Sequence, residues 1–143
     1  MSAFLLDTHA FIWLTENDSN LPDNLRMTIN TADIVYLSIA SLWEIAIKLN
    51  LGKLSLQQSY ETIGSAIDDS DILIIPISFA DTVQVRNLLL HHGDLFDWML
   101  IAQAINHSLI IISRDKNSML ILFRGCGNSH TKRERPFFAI LKK

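Results

Sequence analysis

Ala3-Phe4-Leu5-Leu6-Asp7 is a run of four apolar residues that ends on a carboxylate. A strand half-covered by solvent alternates apolar and polar residues. A run without alternation suits a strand buried on both faces, as in a parallel sheet. Ile34–Leu37, Ile72–Ile75 and Leu109–Ile112 repeat the pattern. Between these runs lie segments with helical spacing. One follows Leu21-Pro22, where proline suits a first turn. Others cover Ser41–Asn50, closed by Gly52, then Leu56–Ile67, Ser78–Leu90 and Leu95–Asn106. Strand–helix alternation of this kind predicts an α/β fold, a central parallel sheet flanked by helices in three layers.

The chain has 143 residues, 49% hydrophobic and 19% charged, enough to bury the core of one domain. Cys126 is the only cysteine, which excludes an intrachain disulfide framework and a cysteine-built zinc site. The N-terminal segment has no basic region before its apolar run, and Asp7 cuts that run short, so no leader is expected. The apolar runs fall far short of the roughly 20 residues that span a bilayer. No membrane partner and a cytoplasmic address are expected.

Charge divides the chain. Residues 1–116 carry six Lys+Arg and fourteen Asp+Glu, whereas residues 117–143 carry six and one. The basic stretch Arg124–Pro136 is rich in breakers and has no structural period, and Phe137-Phe138-Ala139-Ile140-Leu141 then turns apolar. Residues 1–123 are therefore read as one domain and 124–143 as a basic C-terminal extension. Its basic cluster suits RNA phosphate. A disordered extension or a reading-frame change at the end of the gene accounts for it equally.

In a parallel sheet the carboxyl ends of the strands form one rim, and ligands bind in the crevice outside it. Asp7, Ser38 and Asp115 each follow a predicted strand, so Asp7 and Asp115 can be neighbours in space. Glu44, in Ser41-Leu42-Trp43-Glu44, and Asp97, in Asp94-Leu95-Phe96-Asp97, are placed in first turns of helices that follow the rim. Carboxylates gathered in one cleft repel one another, and a hard divalent cation relieves that repulsion. Such an ion activates water and offsets the charge of a phosphodiester. Each acid also has a plainer explanation. Ser41…Glu44 has the spacing of a capping box, and Asp94…Asp97 that of an acidic cap. Ser78…Asp81 has nearly the same form with nothing else to single it out. Asp81 is accordingly expected to tolerate Asn at a cost of at most about 1 kcal/mol.

Longer stretches carry a resemblance. Leu5-Leu6-Asp7-Thr8-His9-Ala10-Phe11-Ile12-Trp13-Leu14, Ser38-Ile39-Ala40-Ser41-Leu42-Trp43-Glu44-Ile45-Ala46-Ile47-Lys48 and Leu51-Gly52-Lys53-Leu54 resemble PIN-domain proteins. So do His91-His92-Gly93-Asp94-Leu95-Phe96-Asp97, Leu100-Ile101-Ala102-Gln103-Ala104 and Ser113-Arg114-Asp115. Their order and spacing are similar to the VapC-type toxins of bacterial toxin–antitoxin pairs, over about residues 3–117. The resemblance implies a PIN-like fold and an endoribonuclease dependent on Mg²⁺ or Mn²⁺, with RNA as substrate. It implies a VapB-like antitoxin as partner and inhibitor. The family's acidic quartet falls on Asp7, Glu44, Asp97 and Asp115, as metal-binding and catalytic residues, and Asp94 matches a less central acid. A homodimer is also expected. From another class comes the alternative of a catalytically impaired PIN-like module that binds antitoxin or itself.

Other residues carry less. Adjacent His91 and His92 point apart on a helix and do not chelate as an i, i+4 pair would. His9 is placed at the border of the cleft or in a packing role. Trp13, Trp43 and Trp98 read as core or dimer contacts, and Lys48 and Lys53 as surface lysines or contacts to a phosphate backbone. No phosphate-cradling glycine motif, dinucleotide fingerprint or Ser-His-Asp pattern is present.

Overall fold

The computed structural model describes residues 2–88 and 93–113, together with two strand segments at 120–122 and 139–140. Four strands are parallel: β1 (Ala3–Leu6), β2 (Ile34–Ser38), β3 (Ile72–Ile75) and β4 (Ile110–Ile112). Two antiparallel strands, β5 (Leu120–Leu122) and β6 (Ala139–Ile140), extend the sheet past β4, giving the order β3-β2-β1-β4-β5-β6. The helices described are α1 (Thr8–Thr15), α2 (Asp23–Thr31), α3 (Ile39–Asn50), α4 (Glu61–Asp68), α5 (Phe79–Asn87) and α6 (Leu95–His107). This is the expected α/β architecture, helices flanking a central parallel sheet. None of the described helices is long and apolar enough to cross a membrane.

The lack of alternation in β1 follows from where its side chains go. Phe4 and Leu6 pack on one face of the sheet, with Phe11, Leu25, Ile29, Ile45, Ile63 and Ile67. Leu5, completely buried, packs on the other with Leu100, Ala104, Leu109 and Ile111. Both faces are dry, so every position is apolar. The edge strand β3 departs from that expectation, since Leu73 and Ile74 are 52% and 43% exposed. An apolar run marks a strand, but its depth in the sheet depends on neighbours the run does not contain.

Helix boundaries shift in ways that bear on the site. α1 is absent from the helices read from spacing, because His9-Ala10-Phe11-Ile12-Trp13-Leu14 is apolar almost all round and lacks an amphipathic period. α3 begins at Ile39 rather than Ser41, because Ser38, the last residue of β2, is its N-cap and accepts the Ala40 amide at 3.1 Å. α4 begins at Glu61, and Leu56 and Tyr60 pack on the core ahead of it.

Candidate functional site

Chain order places a crevice beside β1. The chain leaves β1 for β2 on one side and returns to β4 on the other, so the crossovers part between β1 and β4. Such switch points open a cleft at the carboxyl ends of the strands. The Asp7 amide, one residue beyond β1, donates to the Ile112 carbonyl of β4 at 2.9 Å, which fixes Asp7 at that point. Asp7 then caps α1, its Oδ1 accepting the Ala10 amide at 2.7 Å.

A cavity of about 590 Å³ opens there, and its lining includes Asp7, Glu44, Asp94, Asp97, Lys48 and His9. Three of the four acids of the expected quartet thus share one cavity. The fourth, Asp115, lies outside the described residues, as do His91 and His92; Ser113, two residues before Asp115, lines the cavity. Asp97 is exposed in the first turn of α6, and Asp94 is the N-cap of that helix, accepting the Phe96 amide at 2.7 Å. His9 borders the cleft and meets Trp13 edge-on. Gly93 holds the approach to α6 at φ +125, and a Cβ there would come within 3.2 Å of the Trp98 indole.

Glu44 sits differently from its expected position. With Ser38 as N-cap, Glu44 falls in the second turn of α3, and the Ser41…Glu44 capping box does not form. The Ser41 hydroxyl is buried and has no hydrogen-bond partner among the described residues. Glu44 is only 4% exposed, and both its oxygens are engaged. Oε1 accepts the hydroxyl of buried Thr8 at 2.5 Å, and Oε2 pairs with Lys48 Nζ at 2.5 Å. Thr8 is the residue that sequence reasoning missed. It lies 36 positions from Glu44, and only its place directly after Asp7 hinted at a role.

The control acid also departs from expectation. Ser78 and Asp81 form a complete capping box on α5, yet Asp81 is wholly buried and is more than a cap. It accepts the Ser78 amide at 2.9 Å, Asn106 Nδ2 at 2.9 Å and Gln103 Nε2 at 3.3 Å, which ties α5 to α6. Burial is the largest single influence and would raise its pKa. The bonds from Ser78, Asn106 and Gln103 together outweigh it, and the carboxyl titrates below its ordinary value. With these partners Asp81→Asn should cost more than the expected limit of about 1 kcal/mol, because an amide cannot accept all the donors that the carboxylate accepts.

Oxygen donors around a roomy, partly buried cavity suit a hard divalent cation that keeps some of its water. Among the described residues no three His, Cys, Asp or Glu side chains converge closely enough to enclose an ion. Asp7, Glu44, Asp94 and Asp97 are the carboxylates that line the cavity.

A family model for the PIN domain matches residues 4–120. The chain belongs to the PIN-domain family. No curated protein matches it. This PIN domain is similar in fold to the crystal structure of VapBC2 from Rickettsia felis bound to a DNA fragment from their promoter. That match has 18% identity and a TM-score of 0.54, covering 78% of this chain and 86% of the other. It is also similar to FitAcB from Neisseria gonorrhoeae, with 21% identity, a TM-score of 0.50 and coverage of 78% and 87%. PIN domains are typically nucleases and generally use divalent metal ions.

Proposed function

We propose that this PIN-domain protein is an endoribonuclease toxin of the VapC type, dependent on Mg²⁺ or Mn²⁺ and inhibited by a VapB-like antitoxin. The observation that carries the reading is the gathering of Asp7, Glu44 and Asp97 on one cavity at the switch point of the sheet. Asp115 completes the set in this reading. The cation, once bound, lowers the pKa of a water and offsets charge on the phosphodiester. The chain's own groups position that chemistry. Asp7 is fixed by the backbone of β4 and α1, Thr8 holds the orientation of Glu44, and one or more of Asp7, Glu44, Asp97 and Asp115 orients or deprotonates the attacking water.

Ile39, Trp43 and Leu95, 40%, 59% and 71% exposed, form an apolar surface across α3 and α6. The edge contact of Trp43 with Phe96 joins the two helices there. This surface supports a protein partner, a second copy of the chain in a homodimer. Residues 124–143 are a basic, non-catalytic extension of the catalytic domain of residues 1–123, although their strand β6 pairs with β5 at the edge of its sheet, and the protein acts in the cytoplasm.

Cleavage of structured RNA with and without Mg²⁺, by wild type and by Asp7→Asn, tests the reading. Wild type should cleave only with the metal, and the variant should not. Wild type that binds a partner but cleaves nothing would leave the impaired interaction module.

A further inference from the structure

We propose that Lys48 is a tethered counter-ion of the cleft: it yields Glu44 to a divalent cation and passes its own ammonium to a phosphate of the bound nucleic acid. This rests on the metal-dependent reading above and assigns a substrate-binding role to a residue outside the acidic set.

Glu44 has two oxygens and two partners of unlike kind. The Thr8 hydroxyl comes from a short, buried side chain at the start of α1, with no freedom to leave. The Lys48 ammonium comes on a long flexible stem, one helical turn along α3, and its side chain is 30% exposed against 6% for Glu44. Glu–Lys pairs at this spacing are common on helix surfaces, where they do little more than support the helix. Here the carboxylate is buried and both residues line the cavity that holds Asp7, Asp94 and Asp97. Lys48 is also the only Lys or Arg among the described residues of that lining. Lys48 occupies one lone-pair site of Oε2, so a cation that approaches Glu44 competes with the ammonium for the carboxylate charge and repels it. A lysine displaced in this way stays tethered at the cavity wall. Its compact, mobile charge suits a phosphate that needs no fixed bidentate geometry. Metal loading and substrate gripping are then coupled through one side chain.

The test begins with Mn²⁺ uptake by calorimetry on the full chain without RNA. Lys48→Gln should bind Mn²⁺ roughly three- to tenfold more tightly than wild type, having lost the competing charge. Lys48→Arg, which keeps charge and reach, should stay near wild type. Lys53→Gln removes an equal charge from an exposed position outside the cavity lining and should change little. At saturating Mn²⁺, anisotropy with a 2′-O-methyl RNA oligonucleotide should show Lys48→Gln binding more weakly. Its log–log salt slope should be shallower by about 0.7, one phosphate contact on a single strand. Metal affinity in Lys48→Gln that is unchanged, weakened or raised no further than in Lys53→Gln overturns the exchange. So does an unchanged salt slope. Wild type that takes up no Mn²⁺ overturns the metal-site reading itself, an outcome visible before any variant is compared.

Discussion

Asp81 and Glu44 each stand three residues after a serine and soon after a strand, and both are buried, yet their surroundings differ. Asp81 is closed: Ser78, Gln103 and Asn106 supply neutral, short-stemmed donors fixed by α5 and α6. Glu44 is open: one partner is fixed, the other is a flexible cation, and the carboxylate borders a cavity shared with Asp7 and Asp97. Burial alone therefore does not separate an acid held within the fold from one that borders a cleft. The difference lies in whether the partners are displaceable and whether the acid has company of its own sign.

The sharpest way to break this contrast is at the open site. Asp7→Asn keeps the cap on α1, since Asn serves as well as Asp at an N-cap, so thermal stability should change by no more than about 1 kcal/mol. Cleavage should fall at least about 100-fold, because several kcal/mol of metal-assisted stabilisation depend on the charge. An active Asp7→Asn would remove it from the site. Glu44→Gln leaves an amide oxygen for Thr8 and loses the pairing with Lys48. A cleavage loss of similar order with a near-native melting temperature is expected. Full activity would return Glu44 to a purely structural role.

At the closed site the signs reverse. Asp81→Ala removes the acceptor shared by the Ser78 amide, Gln103 and Asn106 and should cost about 1–3 kcal/mol in urea unfolding, at the lower end because Gln103 Nε2 keeps the Pro76 carbonyl and exposed Asn106 can turn to water. Cleavage per folded molecule should be retained. The folded-state pKa of Asp81 is depressed, so its stabilisation is present above the ordinary value of 3.8 and is lost as pH falls through the lower folded value. The gap in stability between wild type and Asp81→Asn should therefore narrow as pH drops below about 4. A gap independent of pH would show that ionised Asp81 contributes nothing beyond shape.

The smallest effect is expected at the basic end of the chain. A protein ending at Phe123 loses the basic residues between Arg124 and Lys143 and the pairing of β6 with β5. If the extension is non-catalytic, the cleavage rate at saturating RNA should survive. RNA binding should weaken and become less salt-sensitive. A loss of both melting temperature and saturated rate would make residues 124–143 part of the folded domain.

Much of this was legible from residues alone. Runs such as Ala3–Leu6 and Ile34–Leu37 announce strands, because a strand covered on both faces has no position to spare for a polar side chain. Asp7 and Asp97 were legible because a carboxylate just beyond a strand, or in the first turn of a helix after one, falls on a predictable rim. Spacing could not choose between Ser38 and Ser41 as the cap of α3, because that depends on where β2 ends. Nor could it reveal that Thr8 meets Glu44, that Asp81 is sealed between α5 and α6, or that β3 leaves Leu73 and Ile74 half-exposed. Local sequence determines periodicity and the candidates for caps, whose physics acts within a turn or two of the chain. Burial, the choice of hydrogen-bond partner and the gathering of like charges arise between residues tens of positions apart, and only the packed tertiary structure brings those together.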